Sequence, residues 1–153
     1  MDVVWALVAF ALTVHAGYAL WIARRLDRLH RRADVAAAAL DDQLRVRAHA
    51  AAGLKSSAGA VDDALRAEGL GRDREQAESA LSRAISRADV DETLAAANAR
   101  ANYARAFYND TVRDALVVRR RRIVRVFRLA GSARLPSFFE MDEAAPARRT
   151  IDV

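Results

Sequence analysis

The residues best suited to chemistry crowd into "ANYARAFYNDTVRD", residues 101–114, in a chain otherwise written mostly in Ala, Arg, Asp and Leu. Tyr103, Phe107, Tyr108, Asn109 and Asp110 converge there as aromatic and polar groups do in a reactive site. Helical spacing separates them. Tyr103 and Phe107 are four residues apart and share one face, whereas Tyr108 falls on an alanine-rich stripe. Asp110 can pair with Arg113 three residues on. The pattern reads as an aromatic plug in a helical core, with a partner-binding surface as the other reading; a buried Tyr108 would need a partner for its hydroxyl.

Other candidate chemistries fail on spacing. His30 and His49 lie about 28 Å apart on a continuous helix, too far to share a metal, and no helical His/Glu metal motif occurs. His15 falls within an apolar run, where it is either a proton-relay or partner contact or, as happens more often, a tolerated polar residue. Asp41 and Asp42 are adjacent, so on a helix they diverge by about 100° and form no acid/base pair; Asp41 and Arg45 can form a surface ion pair. Ser56 and Ser57 have no activating His or Lys at a suitable spacing. "EGLGRD" lacks the spacing of a phosphate-binding loop. With no Cys in the chain, thiolate zinc sites, disulfides and Cys nucleophiles are excluded. The sequence thus points to no enzyme, no cofactor and no metal.

The elements that carry these residues are helical. No sustained two-residue alternation and no hairpin dipeptide occurs, and the two prolines, Pro136 and Pro146, both lie near the C-terminus. The run Val3 to Ala23 contains no charged residue. At about 1.5 Å per residue it spans roughly 30 Å, the thickness of a bilayer core. Trp5 lies near one end, and Tyr18 and Trp21 near the other, as interfacial aromatics do. A cleavable signal peptide would carry a basic n-region and a shorter apolar core, so residues 1–23 read as a retained anchor. Arg24, Arg25, Arg28, Arg31 and Arg32 follow it, which by the positive-inside rule puts the N-terminus outside and the rest in the cytoplasm.

Beyond the anchor, Leu26, Leu29, Ala33, Ala37, Leu40, Leu44, Ala48, Ala51, Leu54, Ala58, Val61 and Leu65 form one stripe with steps of three or four residues. This predicts a helix continuing out of the membrane, with the period of bundles and coiled coils and a bend near Gly53 and Gly59. Gly69 and Gly71 mark a stop. A second helix fits residues 74–88, with Ala77, Leu81, Ile85 and Ala88 on one side. "DVDE" then reads as a capping box in which Asp89 accepts a backbone bond and Glu92 reaches back. Leu94, Ala97, Ala101, Ala104, Tyr108, Val112 and Ala115 continue a stripe that can run to Leu129, ahead of Gly131. The expected fold is all-α: a transmembrane helix continuing into an elongated antiparallel bundle of about three long helices over residues 24–131, with a polar tail, expected to be disordered toward its end, over 132–153.

The net charge of +5 is concentrated in "VVRRRRIVRVFRLAG". Arg121, Arg122, Arg125 and Arg128 cluster on one side of a helical wheel, opposite Leu116, Ile123, Val124 and Phe127; Arg119 and Arg120 fall off that pattern. A basic amphipathic helix suits an anionic leaflet, while a solvated helix end complementing the dipole is the alternative. Nucleic acid is disfavoured, because no recognition fold or stacking platform accompanies the charge.

Several of these pieces resemble the LemA-like bacterial membrane proteins. "YARAFYNDTVRD", with Tyr103, Arg105, Phe107, Tyr108, Asn109 and Asp110, is similar to the family's "ARxFYNDxVxxYN". "RLHRRADVAAAALDDQLRVRA" resembles its "RLRNRVDEAWxxIDVQLKRRAD", matching or nearly matching at Arg28, Leu29, Arg32, Asp34, Asp41, Gln43, Leu44, Arg45, Arg47 and Ala48. "QAESALSRAI" looks like its "QAExxLSxAL" helix, and Phe139 and Glu140 resemble its closing "xFE". The chain departs from the family at Ala37, Ala52, Gly53 and Ala115-Leu116 and lacks the connector expected near Ala88, so it resembles a shortened, divergent member. The resemblance implies a single-pass bacterial cell-membrane protein with a cytoplasmic bundle and no known catalytic residues. The expected role is contact with other membrane proteins or self-association, as a scaffold or accessory subunit; binding to anionic lipid is the alternative.

Overall fold

The computed structural model describes residues 2–54, 57–120 (Arg119 by its backbone alone) and 136–143. These residues are helical apart from their connections and the final segment, with no strand among them. The helices are α1 (Asp2–Ala51), α2 (Ala58–Arg66), α3 (Arg72–Ile85) and α4 (Glu92–Arg119). The chain divides into two compact units, one of residues 1–34 and 111–137 and the other of residues 35–110 and 138–153.

In the first unit, α1 opens with the one helical stretch among the described residues long and apolar enough to cross a membrane. Its side chains point outward: Val3, Trp5, Leu7, Phe10, Leu12 and Leu20 are all exposed. The two clearly polar side chains in this stretch turn back on their own helix. Thr13 Oγ1 donates to the Ala9 carbonyl at 2.8 Å, and His15 Nδ1 lies 2.7 Å from the Ala11 carbonyl. At the end of the apolar run Tyr18 and Trp21 stack with ring centres 6.0 Å apart, and the Arg25 guanidinium sits 5.6 Å from the Trp21 ring centre. Ile22 and Leu26 are buried against Val118 of α4, with Leu29 packed alongside.

In the second unit most of the predicted stripe is core, although Ala58 is exposed and Leu54 and Leu65 are half-buried. Leu40, Leu44, Ala48 and Ala51 of α1 are buried, as are Val61 and Ala64 of α2, Ala77, Leu81 and Ile85 of α3, and Leu94, Ala97 and Ala101 of α4. At the start of the stripe it is Ala36, not Ala37, that is buried. The bend expected near Gly53 is a full break: α1 ends at Ala51 and α2 starts at Ala58. Ser57, expected only as a failed nucleophile, closes this break. Its buried hydroxyl lies 3.0 Å from the Ala51 carbonyl and 2.8 Å from the Leu54 carbonyl, answering groups that a helix end leaves unpaired. Gly69, in the connection from α2 to α3, has φ of +67°, the left-handed region that glycine enters without steric cost.

The α3–α4 break is real, but its cap differs from the expected one. The Leu94 N–H donates to Asp91 Oδ1 at 2.7 Å, so Asp91 is the N-cap, two residues after Asp89. That places Leu94, not Glu92, at the third helical position, so no reciprocal box forms. The expected polar tail is also corrected in part. Residues 138–143 dock on the second unit as an extended segment, with Phe139 and Met141 buried.

Candidate functional site

The most elaborate arrangement among the described residues is a buried charge network in the second unit. Arg47, on the core face of α1 beside Leu44 and Ala48, is 0% exposed. Its Nη2 donates to the Glu78 carbonyl at 2.9 Å and to Ser82 Oγ at 3.0 Å. Those bonds use both Nη2 hydrogens. Glu78 Oε2, 3.2 Å away, is therefore held by charge without an aligned hydrogen bond. Arg47 Nη1 reaches Asn98 Oδ1 of α4 at 3.4 Å and the Met141 sulfur at 3.7 Å. One guanidinium thus joins α1, α3, α4 and the extended segment.

Arg74 makes a second such junction. Its Nε donates to Glu78 Oε1 at 2.9 Å and its Nη1 to the Ala67 carbonyl at 2.5 Å, with Asp41 Oδ1 at 3.4 Å. Asp41 also holds Arg45 at 3.0 Å, the surface pair expected from their spacing. Burial pushes the Glu78 carboxyl above the ordinary carboxylate range; Arg47 and Arg74 pull it back, and Asp41 adds to the rise. Burial likewise lowers the Arg47 guanidinium, against the pull of Glu78. This is the balance expected where charges leave water for a dry interior.

The opening motif splits across two environments. Tyr103 and Phe107 are 78% and 66% exposed, so the aromatic-plug reading fails for both. The core stripe of α4 runs through Ala101, Tyr108, Val112 and Ala115, and at 3.6 residues per turn the opposite side carries Tyr103 and Phe107. Tyr108 is 6% exposed and does pack in the core. Asn109 binds the backbone of Phe139, and Asp110 is exposed. Arg105 reaches the Met141 carbonyl at 3.4 Å and the Glu143 carboxylate.

Of the other family-like positions, Leu44 is core, and Gln43 is half-buried with its Nε2 3.4 Å from Asp42 Oδ2. Arg120, in the turn after α4, is exposed; Arg121, Arg122, Arg125 and Arg128 lie outside the described residues.

Sequence reasoning missed Arg74, Glu78, Ser82 and Asn98. The signal was present: Arg74 and Glu78 are four apart and flank Ala77 and Leu81, which puts both on the apolar face of α3.

The network's chemistry is cohesive. Arg47, Arg74 and Glu78 are all buried and bond mainly to one another and to backbone carbonyls, while Glu78 Oε2, Arg47 Nε and Arg74 Nη2 make no hydrogen bond among the described residues. Comparison with protein-family models, curated proteins and solved structures finds no match.

Proposed function

We propose that the chain is a LemA-like single-pass protein of the bacterial cell membrane that acts by protein–protein contact, as a scaffold or accessory subunit, without catalysis. Residues 1–23 anchor it with the N-terminus outside, and the helices that follow face the cytoplasm, in accord with the arginines after the apolar run. The observation that carries the contact reading is the Tyr103–Phe107 pair. Two large aromatics stand exposed on one face of α4, on a helix that Asn98, Arg105 and Asn109 tie to the rest of its unit. Aromatics fixed on a rigid element are what protein interfaces use as anchors.

The test is crosslinking in intact membranes followed by purification of the full chain. A reproducible partner band that disappears in Tyr103→Ser/Phe107→Ser supports the reading. No reproducible partner, together with a monomer in detergent, refutes it.

A second reading, binding of an anionic membrane surface by Arg119–Arg128, is favoured by one contact. Val118 packs on Ile22 and Leu26, at the end of the apolar run. The basic stretch therefore starts near the end of the apolar run, where lipid headgroups would lie. Co-sedimentation of the chain shortened by its apolar run with anionic but not neutral vesicles is the expected result. Equal recovery with both, or with neither, sinks it.

A further inference from the structure

After α4 the chain re-enters the second unit as an extended segment, Phe138–Glu143, held by side chains of α3 and α4. Asn109 serves Phe139 as a neighbouring strand would: Nδ2 donates to its carbonyl at 3.0 Å and Oδ1 accepts from its N–H at 2.9 Å. The Glu140 N–H donates to Glu75 Oε1 at 2.9 Å and the Asp142 N–H to Ser79 Oγ at 3.1 Å. Side chains alternate along the segment: Phe139 and Met141 are buried, while Glu140 and Asp142 are exposed. The acidic end meets two cations, Asp142 with Arg83 at 2.5 Å and Glu143 with Arg105.

Main-chain bonds plus pockets for alternate side chains are the physics of extended-peptide recognition. A cavity of about 600 Å³, lined by Ser79, Arg105 and Asn109 and by the segment itself, opens beside it, so no further layer of the described residues covers the peptide's edge.

We propose that the α3–α4 groove is a peptide-docking site whose occupant is residues 138–143, and that a second copy of this chain supplies the same segment in exchange. Every copy carries both groove and segment, so the exchanged complex repeats each contact made within one chain. Residues 121–135, which tether the segment, reach at most about 50 Å when fully extended. Copies confined to one membrane meet within that reach far more often than copies free in solution. This rests on the contact reading above in naming a partner, and adds a surface distinct from Tyr103 and Phe107.

The chain has no native cysteine, so introduced ones report alone. Two full-length variants, Arg83→Cys and Asp142→Cys, are co-reconstituted in vesicles and joined with a short bis-maleimide. A crosslinked heterodimer is expected. Phe139→Ala placed in the Arg83→Cys chain weakens that chain's own segment and vacates its groove, raising heterodimer yield about tenfold or more. The same substitution in the Asp142→Cys chain lowers it as strongly, since a buried aromatic is worth well over a factor of ten. Met141→Ala replaces Phe139→Ala if the latter unfolds the chain. A synthetic peptide of residues 136–143 suppresses the heterodimer. Absence of a heterodimer, or a yield indifferent to which chain carries the substitution, overturns the exchange. Loss of this crosslink with the Tyr103/Phe107-dependent partner retained sinks this inference alone.

Discussion

Arg47→Met is the most demanding test of the buried network. Met is close in volume and apolar, so the variant removes charge and hydrogen bonds with little cavity. Two aligned bonds disappear at once, to the Glu78 carbonyl and to Ser82, together with the 3.2 Å charge contact to Glu78 Oε2. Breaking a buried ion pair by removing one partner costs about 3–5 kcal/mol. Glu78 keeps Arg74 at 2.9 Å, so the loss falls at the lower end, about 3 kcal/mol, plus roughly 1 kcal/mol for leaving Ser82 and Asn98 without their donor. A loss of that size is a large fraction of the stability of a domain this small.

Urea titration of the full chain in mild detergent, followed by far-UV circular dichroism, reads the change. Arg47→Met/Glu78→Met then removes the stranded carboxylate as well, and the double variant should be more stable than the sum of the single losses by about 2 kcal/mol. An Arg47→Met loss below about 1 kcal/mol, or strictly additive losses, would refute the claim that this charge cluster organises the unit.

Three further outcomes follow from the same contacts. Glu78 is raised in the folded chain, so its contribution is fully present below the ordinary carboxyl range and is lost as pH rises through the raised value; unfolding midpoints at a series of pH values should fall across that window in the wild type and stay flatter in Glu78→Gln. Asp91→Ala should cost about 1 kcal/mol by loss of the α4 cap, whereas Asp89→Ala should be near neutral in the same urea titration. Tyr108→Ala should cost about 3 kcal/mol or more, while Tyr103→Ser and Phe107→Ser should each shift stability by less than about 0.5 kcal/mol; equal losses at all three positions would contradict the burial pattern.

Much of the helical framework was legible because apolar spacing maps directly onto a buried face. The stripe through Leu40, Leu44, Ala48 and Ala51 and that through Leu94, Ala97, Ala101 and Tyr108 are both core. Spacing also put Tyr103 and Phe107 together, but a shared face carries no direction until it is set against the rest of the wheel. Arginine's usual place is in water, so Arg47 and Arg74 pass as surface residues unless their register on the apolar face is followed. The docking of residues 138–143 was hidden for another reason. Two apolar residues alternating with acids are too short a pattern to stand out, and their partners lie some 30 to 65 residues away in sequence. Asp91 was missed because two aspartates two residues apart both suit a cap, and only the backbone turn chooses between them.

The inward bonds of Thr13 and His15 bear on what the apolar stretch of α1 can select. A polar side chain left open in hydrocarbon gains by finding another helix, and so acts as an adhesive between spans. Here the Thr13 hydroxyl and one imidazole nitrogen are engaged by carbonyls four residues back, which leaves His15 Nε2 as the polar atom open on an otherwise apolar surface. In a bilayer such a helix would have little beyond His15 with which to choose its lateral neighbours. Were this stretch to lie in a bilayer, sorting among associates would fall largely to the residues outside the lipid, and a Thr13→Asn change, whose amide outnumbers the local acceptors, would add an adhesive group and strengthen self-association.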